Sequence, residues 1–229
     1  MSQAEAAKPQ TAPEWPPAPR RTLWYRTVVA TLRLVSAVFF PTRITGQEHL
    51  PQRGPVLVLC NHVSYLDAVL AAFSCNRPLK CLARKGLFVG PFATLIRSLG
   101  AMPVDQEGSA LGGIRAGMKV LKEGHALLIF PEGGRSEDGQ LQPLMPGFLP
   151  LMKRSNASVL PIAVAGAFEA WPRSRTLPRP GRLQVSVGPV LTPRDFEGMA
   201  DEQRLQLVSD RLAAEFEAAV SALHKRQGR

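Results

Sequence analysis

Residues 54–73 read GPVLVLCNHVSYLDAVLAAF. An unbroken apolar run, Pro55–Cys60, follows Gly54 and ends in the polar stretch NHVSYLD; a second apolar run, Ala68–Phe73, comes after it. A short apolar run bounded by turn signals reads as a buried strand, and the longer segment from about 65 to 74 reads as a helix. Ser64 and Asp67 make the S-x-x-D pattern of a capping box, with Ser64 as N-cap and Asp67 three residues on. The same spacing carries a chemical alternative. On a straight helix, residues five apart point about 140° away from each other, so His62 and Asp67 meet only if a turn folds between them. A turn at Val63–Ser64 provides that. A carboxylate there can hold one ring nitrogen of His62 and leave the other free to take a proton.

Outward from this stretch the strand and helix signals alternate. Strands are expected at 79–83 (LKCLA), 101–104 (AMPV), 125–130 (HALLIF), 159–166 (VLPIAVAG) and 183–188 (LQVSVG), with helices near 91–99, 110–123 and 145–155. Leu205, Val208, Leu212, Phe216, Val220 and Leu223 recur at helical spacing and predict a C-terminal amphipathic helix over 201–225. The expected fold is an α/β layered domain, with a mixed, largely parallel sheet flanked by helices. Pro161 inside a strand predicts an edge or a bulge.

Three segments are expected: a disordered Pro/Ala-rich tail (1–20), an amphipathic membrane-associating helix (21–42) and the α/β domain (43–225). No apolar stretch follows the start promptly, so a secretory signal is not expected. The stretch LWYRTVVATLRLVSAVFF (23–40) holds 18 residues with Arg26 and Arg33 on one helical face and Trp24, Val28, Val35 and Phe39 largely on the other. It reads as a helix lying in a membrane interface, with Trp24 and Tyr25 at headgroup level. The competing reading packs it on the protein's own core. A span needs roughly 20 apolar residues.

The 229 residues carry 28 Lys+Arg against 18 Asp+Glu, a net charge of +10, which favours anionic partners: acidic headgroups or phosphorylated substrates. Only 7% of residues are aromatic, with no nucleic-acid motif, so no nucleic-acid partner is expected. Cys60, Cys75 and Cys81 sit in apolar contexts without metal spacing; they read as reduced thiols on the cytoplasmic side of a membrane, and no metal or cofactor is expected.

A second constellation follows HALLIF: FPEGGRSEDG, Phe130 to Gly139. Adjacent glycines let a backbone approach an anion, and Arg135 can grip a phosphate with two parallel hydrogen bonds. A charged surface turn is the alternative. Between the two constellations Arg84 and Lys85 add positive charge ahead of an apolar segment, or simply form a solvated basic face.

Together these blocks resemble the glycerolipid acyltransferase family, typified by 1-acyl-glycerol-3-phosphate acyltransferases. Asn61, His62 and Asp67 match N-H-x-x-x-x-D; Gly100 to Asp105 match G-x-x-x-V-D; Phe130 to Ser136 match F-P-E-G-x-R-S, Pro131 included; Leu160, Pro161 and the residues to Val164 match a V-P-V-type block. The resemblance covers about residues 44–190. It implies an O-acyltransferase that moves a fatty acyl group from an acyl-carrier-protein or coenzyme A thioester to the sn-2 hydroxyl of 1-acyl-sn-glycerol-3-phosphate, giving phosphatidic acid, at the cytoplasmic face of a bacterial inner membrane. It further implies that His62 is the general base and Asp67 its orienter. Glu132, Gly133, Arg135 and Arg84 would hold the acceptor headgroup, and the Leu160–Val164 block would border an acyl tunnel. The chain departs from the pattern at Gln106, Gly134 and Met145–Pro146, where the family usually has arginine, threonine and, before Gly147, lysine. Three alternatives stand beside this reading: another lysolipid acceptor such as a lyso-ornithine lipid, a covalent acyl intermediate on Cys60, and a non-catalytic peripheral lipid-binding protein.

Overall fold

The structure is a computed structural model, and it describes residues 22–75, 77–104 and 110–228. The expected 1–20 tail, Asp105 and Gln106 lie outside the described residues. In chain order the elements are α1 (Leu23–Phe39), β1 (Thr42–Thr45), β2 (Val56–Cys60), α2 (Asp67–Ser74), β3 (Leu79–Arg84), α3 (Gly90–Ser98), β4 (Ala101–Val104), α4 (Ala110–Lys122), β5 (Ala126–Ile129), α5 (Leu149–Ser155), β6 (Ser158–Ala165), α6 (Ala167–Ala170), β7 (Leu183–Val187) and α7 (Asp201–Gln227).

The strands form one seven-stranded sheet in the order β1-β7-β6-β2-β5-β3-β4. All neighbouring pairs are parallel except β6 with β7. β2 is central and buried along its whole length, which is why its sequence is continuously apolar and does not alternate. Its side chains go alternately to the two faces. Val56, Val58 and Cys60 pack with Leu70, Ala71 and Phe73 of α2 and Val29 of α1; Leu57 and Leu59 pack with α4, α5 and Val208 of α7. The parallel strands β6, β2, β5, β3 and β4 therefore end along one edge of the sheet, where open α/β sheets bind ligands.

Three points of the sequence reading meet the structure. First, of the two alternatives for Pro161, an edge or a bulge, the bulge is found, because β6 lies between β2 and β7. It sits where the β6–β7 ladder slips: Ile162 opposes Val187, but Val159 opposes Leu191, so three residues face two. The Pro161 carbonyl accepts from the Gly188 N–H at 2.9 Å. A strand residue's N–H and C=O point to the same neighbour, so the N–H that proline lacks would face this bulge and break no regular rung. Second, β1 was not foreseen; its four residues, TRIT, are alternately half-buried and exposed. Third, Arg33 is exposed like Arg26 but is tied to the domain. Its Nη2 donates to the Phe73 carbonyl at 2.8 Å, with the guanidinium 5.7 Å from the Phe73 ring centroid.

Helix α1 packs on the domain along one side only. Val29, Leu32 and Phe40 dock a narrow stripe on the domain. Leu23, Leu34, Val38, Trp24, Val35 and Phe39 remain exposed, and at 100° per residue they span an arc of about 160°. At 17 residues the helix is about 25 Å long, short of the ~30 Å hydrocarbon core. No helix among the described residues is long and apolar enough to cross a membrane.

Candidate active site

His62 is fixed from four directions at the carboxyl end of β2. Asn61, fully buried, comes first: its Nδ2 donates to the Val164 carbonyl at 3.0 Å and its Oδ1 accepts from the Val164 N–H at 2.8 Å. A side-chain amide has the donor–acceptor pair of a peptide unit, so Asn61 substitutes for one more rung between β2 and β6 and frees the main chain to turn. The His62 N–H then donates to Glu132 Oε1 at 2.5 Å, and its carbonyl accepts from the Ser136 N–H at 2.7 Å. The imidazole stacks on Phe130, with centroids 3.9 Å apart and planes at 15°. Nδ1 lies 2.9 Å from Asp67 Oδ2. An ionised carboxylate only accepts, so Nδ1 carries the proton and Nε2 keeps its lone pair. Nε2 has no partner among the described residues, and the side chain is 23% exposed.

Asp67 is the first residue of α2 and is wholly buried. Its Oδ2 also accepts the Val63 and Ser64 N–H groups, both at 2.7 Å, while Oδ1 is buried without a partner. Burial pushes this carboxyl upward; the bonds from His62, Ser64 and Val63 pull it down. The capping and orienting readings thus coexist in one oxygen, in altered form. Ser64 is not the N-cap: its Oγ accepts from the Leu66 N–H at 3.2 Å and donates to the Trp171 carbonyl at 2.8 Å. Cys60 is fully buried, and burial, then the Asp67 charge, pushes its thiol well up, so it is no ready thiolate.

On the second loop the residues divide. Glu132 is buried and both its oxygens are engaged, Oε1 by His62 and Oε2 by the Gln142 N–H at 2.9 Å. It braces the histidine backbone, with one hydrogen bond accepted by each oxygen. Burial, its largest influence, raises its pKa to about 7. Pro131 is buried, and its carbonyl accepts from the Met145 N–H at 2.8 Å. Gly133 has φ 76°, and a Cβ there would stand 2.5 Å from Met145 Sδ. Its N–H is spent on the Phe130 carbonyl at 3.2 Å. The N–H groups of Gly134 and Arg135 have no partner among the described residues. Arg135 lies over the Tyr65 ring, Cζ to centroid 3.8 Å, and its Nη1 is buried and unpartnered. Tyr65 in turn packs on Trp171, centroids 5.2 Å apart. Arg84 is exposed at the end of β3. It lies two strands from β2, roughly 10 Å along the same edge.

The remaining expected positions are architectural. Gly100 (φ 99°) opens β4 at the opposite end of the strands, where a Cβ would stand 2.5 Å from the Leu79 carbonyl oxygen. Leu160 is core, and the 160–164 block reaches a cavity at its Val164 end. There a cleft of about 820 Å³ is lined by Val63, Val164, Phe168, Phe216, Val220 and polar neighbours from α7. Phe130, Tyr65, Trp171 and Gln142 were missed by sequence reasoning. The first two lie inside the recognised motifs, which was the available signal; nothing in the sequence marks Trp171 or Gln142.

Glu132→Gln has a specific expected outcome. Glutamine offers one acceptor and turns an amide N–H toward the other N–H donor. Hydrogen bonds to a charged group contribute about 1.5–3 kcal/mol, so kcat should fall about ten-fold or more without unfolding. Protonation of Glu132 as pH drops through about 7 loosens the same brace. The acid limb of the wild-type rate profile should therefore be steeper than one proton and return to one proton in the variant. An unchanged slope would assign Glu132 no part in holding the base.

The chain has relatives among known proteins. The family profile Acyltransferase matches residues 41–165, more than half of the chain. The chain belongs to the acyltransferase family, and it is an acyltransferase enzyme. It is 24% identical over 190 residues, 82% of this chain and 92% of the other, to a protein of Bacillus subtilis named 1-acyl-sn-glycerol-3-phosphate acyltransferase. It is 28% identical over 171 residues to the chloroplastic 1-acyl-sn-glycerol-3-phosphate acyltransferase BAT2 of Brassica napus, of which it spans about half (49%) and which covers 72% of this chain. Its fold matches the crystal structure of the 1-acyl-sn-glycerophosphate (LPA) acyltransferase PlsC from Thermotoga maritima, with a TM-score of 0.72, 22% identity, and coverage of 90% of this chain and 81% of that one.

Proposed function

We propose that this chain acylates the sn-2 hydroxyl of 1-acyl-sn-glycerol-3-phosphate from an acyl-carrier-protein or coenzyme A thioester, at the cytoplasmic face of a membrane. His62 Nε2 takes the hydroxyl proton while the oxygen bonds to the thioester carbonyl carbon. The carbonyl electrons move onto oxygen, and the tetrahedral intermediate collapses with cleavage of the C–S bond. The leaving thiolate takes the proton back from Nε2, so the products are phosphatidic acid and a free thiol. Asp67 fixes the tautomer and stabilises the imidazolium. The outer arc of α1 rests on the lipid, and the apolar side of the cleft beside Val63 receives an acyl chain.

The observation that carries the acceptor assignment is Arg135. Its guanidinium lies over the Tyr65 ring, with a buried Nη1 that no group among the described residues satisfies. A phosphate monoester brings about −1.5 to −2 charge and three acceptor oxygens; bidentate pairing satisfies Nη1 and a neighbouring donor together. Arg135→Ala should lower kcat/KM for lysophosphatidic acid roughly ten- to a hundred-fold or more. Lysine should restore only part, because it lacks the planar fork. Steady-state kinetics on lysophosphatidic acid and on a phosphate-free lysolipid, with each donor, test this. Wild-type turnover of the phosphate-free lipid alone would overturn the acceptor assignment.

A further inference from the structure

The segment Pro172–Gly181 reads PRSRTLPRPG and leads into Arg182: four arginines in eleven residues around Leu177. Arg173, Arg179 and Arg182 are exposed, and Leu177 is 73% exposed at the middle of the loop. None of the four arginines makes an ion pair among the described residues.

Both ends of this loop are anchored at places that matter. At the near end, the Trp171 carbonyl accepts from Ser64 Oγ at 2.8 Å and from the Tyr65 N–H at 3.4 Å, so the loop starts on the turn that carries His62 and Asp67. At the far end, the Gly181 N–H donates to the Phe39 carbonyl at 3.0 Å, where the exposed arc of α1 ends. Inside, Trp171 Nε1 donates to the Arg175 carbonyl at 3.2 Å and Arg175 Nη1 to the Glu169 carbonyl at 3.0 Å. Arg175 is therefore part of the loop's frame, whereas Arg173 and Arg179 are free. Arg43, Arg182 and Arg226 lie close enough for the first two to depress the Arg226 pKa, behind the effect of burial. The positive field thus continues across the start of β7.

We propose that residues 172–182 form a second bilayer contact, in which Leu177 enters the interface and Arg173 and Arg179 bind anionic lipid headgroups. It would work with the apolar arc of α1 and hold the mouth of the site against the lipid. Apolar side chains interleaved with cations and continuous with an uncovered apolar helix face are the pattern of an interfacial surface. An acidic protein partner would match the arginines but leave that arc uncovered. The proposal rests on the reading that this enzyme works at a membrane surface.

Flotation with vesicles of phosphatidylcholine, alone or mixed with phosphatidylglycerol, tests it without measuring turnover. Each basic residue near an anionic surface is worth about 1 kcal/mol, about five-fold in binding. Arg173→Gln with Arg179→Gln should therefore lower partition onto anionic vesicles about 25-fold and leave phosphatidylcholine binding unchanged. High salt should erase the difference. Leu177→Ser should weaken binding to both vesicle types. Arg173→Lys with Arg179→Lys should bind like wild type, which separates charge from misfolding. Wild-type binding by the double glutamine variant overturns the proposal. If Leu34→Ser with Val38→Ser abolishes binding while the loop variants do not, only the loop assignment falls. If wild type binds no vesicle, the membrane reading falls with it. Loop variants that keep vesicle binding but lose acyl carrier protein, or that dissociate a dimer, would assign the arginines to that partner and overturn the lipid assignment.

Discussion

His62→Ala should lower kcat by about 10³-fold or more, leaving a folded protein. General-base catalysis contributes about 10²- to 10⁴-fold, and no other basic side chain contacts the Asp67 carboxylate. The fold should survive for local reasons. The imidazole is partly exposed and makes one side-chain hydrogen bond, and the braces from Glu132 and Ser136 act on the His62 backbone, which alanine retains. The cost is the lost stacking on Phe130 and one fewer donor to Asp67. Cys60→Ala belongs in the same experiment and should keep most activity. Turnover beside thermal unfolding decides: a dead Cys60→Ala with a near-normal His62→Ala would replace direct attack by a covalent thioester on Cys60.

Asp67→Asn should be nearly as damaging, a loss of about 10²- to 10⁴-fold, for a different reason. Three donors converge on Oδ2: His62 Nδ1 and the Val63 and Ser64 N–H groups. An asparagine carbonyl can take that position, but its NH₂ then occupies the place of Oδ1, which is buried without a hydrogen-bond partner. If the amide flips, it donates to Nδ1, moves the imidazole proton to Nε2 and removes the lone pair that takes the substrate's proton. In either orientation the charge that stabilises the imidazolium is gone. Asp67→Ala should lose stability as well, because two buried N–H groups go unsatisfied at about 1–3 kcal/mol each. Histidine nitrogen NMR reads the tautomer directly. A variant with the Nδ1–H form intact and full activity would make Asp67 a cap and nothing more.

Much of this was legible in residues 54–73, because strand, turn and helix each left a signature: the fully buried run of β2, the polar turn and the apolar face of α2. The two loops that meet at the edge of the sheet were visible as motifs. Their division of labour was not. Glu132 acts on a backbone N–H seventy residues away, and a backbone group carries no mark of its partner. Arg33 shares its face with Arg26 by helical spacing and stays exposed, but its bond to the Phe73 carbonyl is a tertiary contact that spacing cannot show. β1 escaped notice because its residues are only half covered and no apolar run announces it. Pro161 left two alternatives open, an edge or a bulge, and the bulge is the one found, since sheet order is settled by contacts far apart in the chain.

The two glycines of FPEGGR differ in how much change they tolerate. Gly133 is closed by its positive φ and by Met145, whereas a Cβ on Gly134 meets nothing within 4 Å. Glu132 on one side is committed to the base, and Arg135 on the other rests on Tyr65. Variation in this loop therefore has a single unobstructed outlet. Side chains can be tried at Gly134, next to the guanidinium, without disturbing the proton-transfer machinery. On the proposed roles of Arg135 and His62, acceptor preference could drift among descendants of this sequence while the chemistry stays fixed.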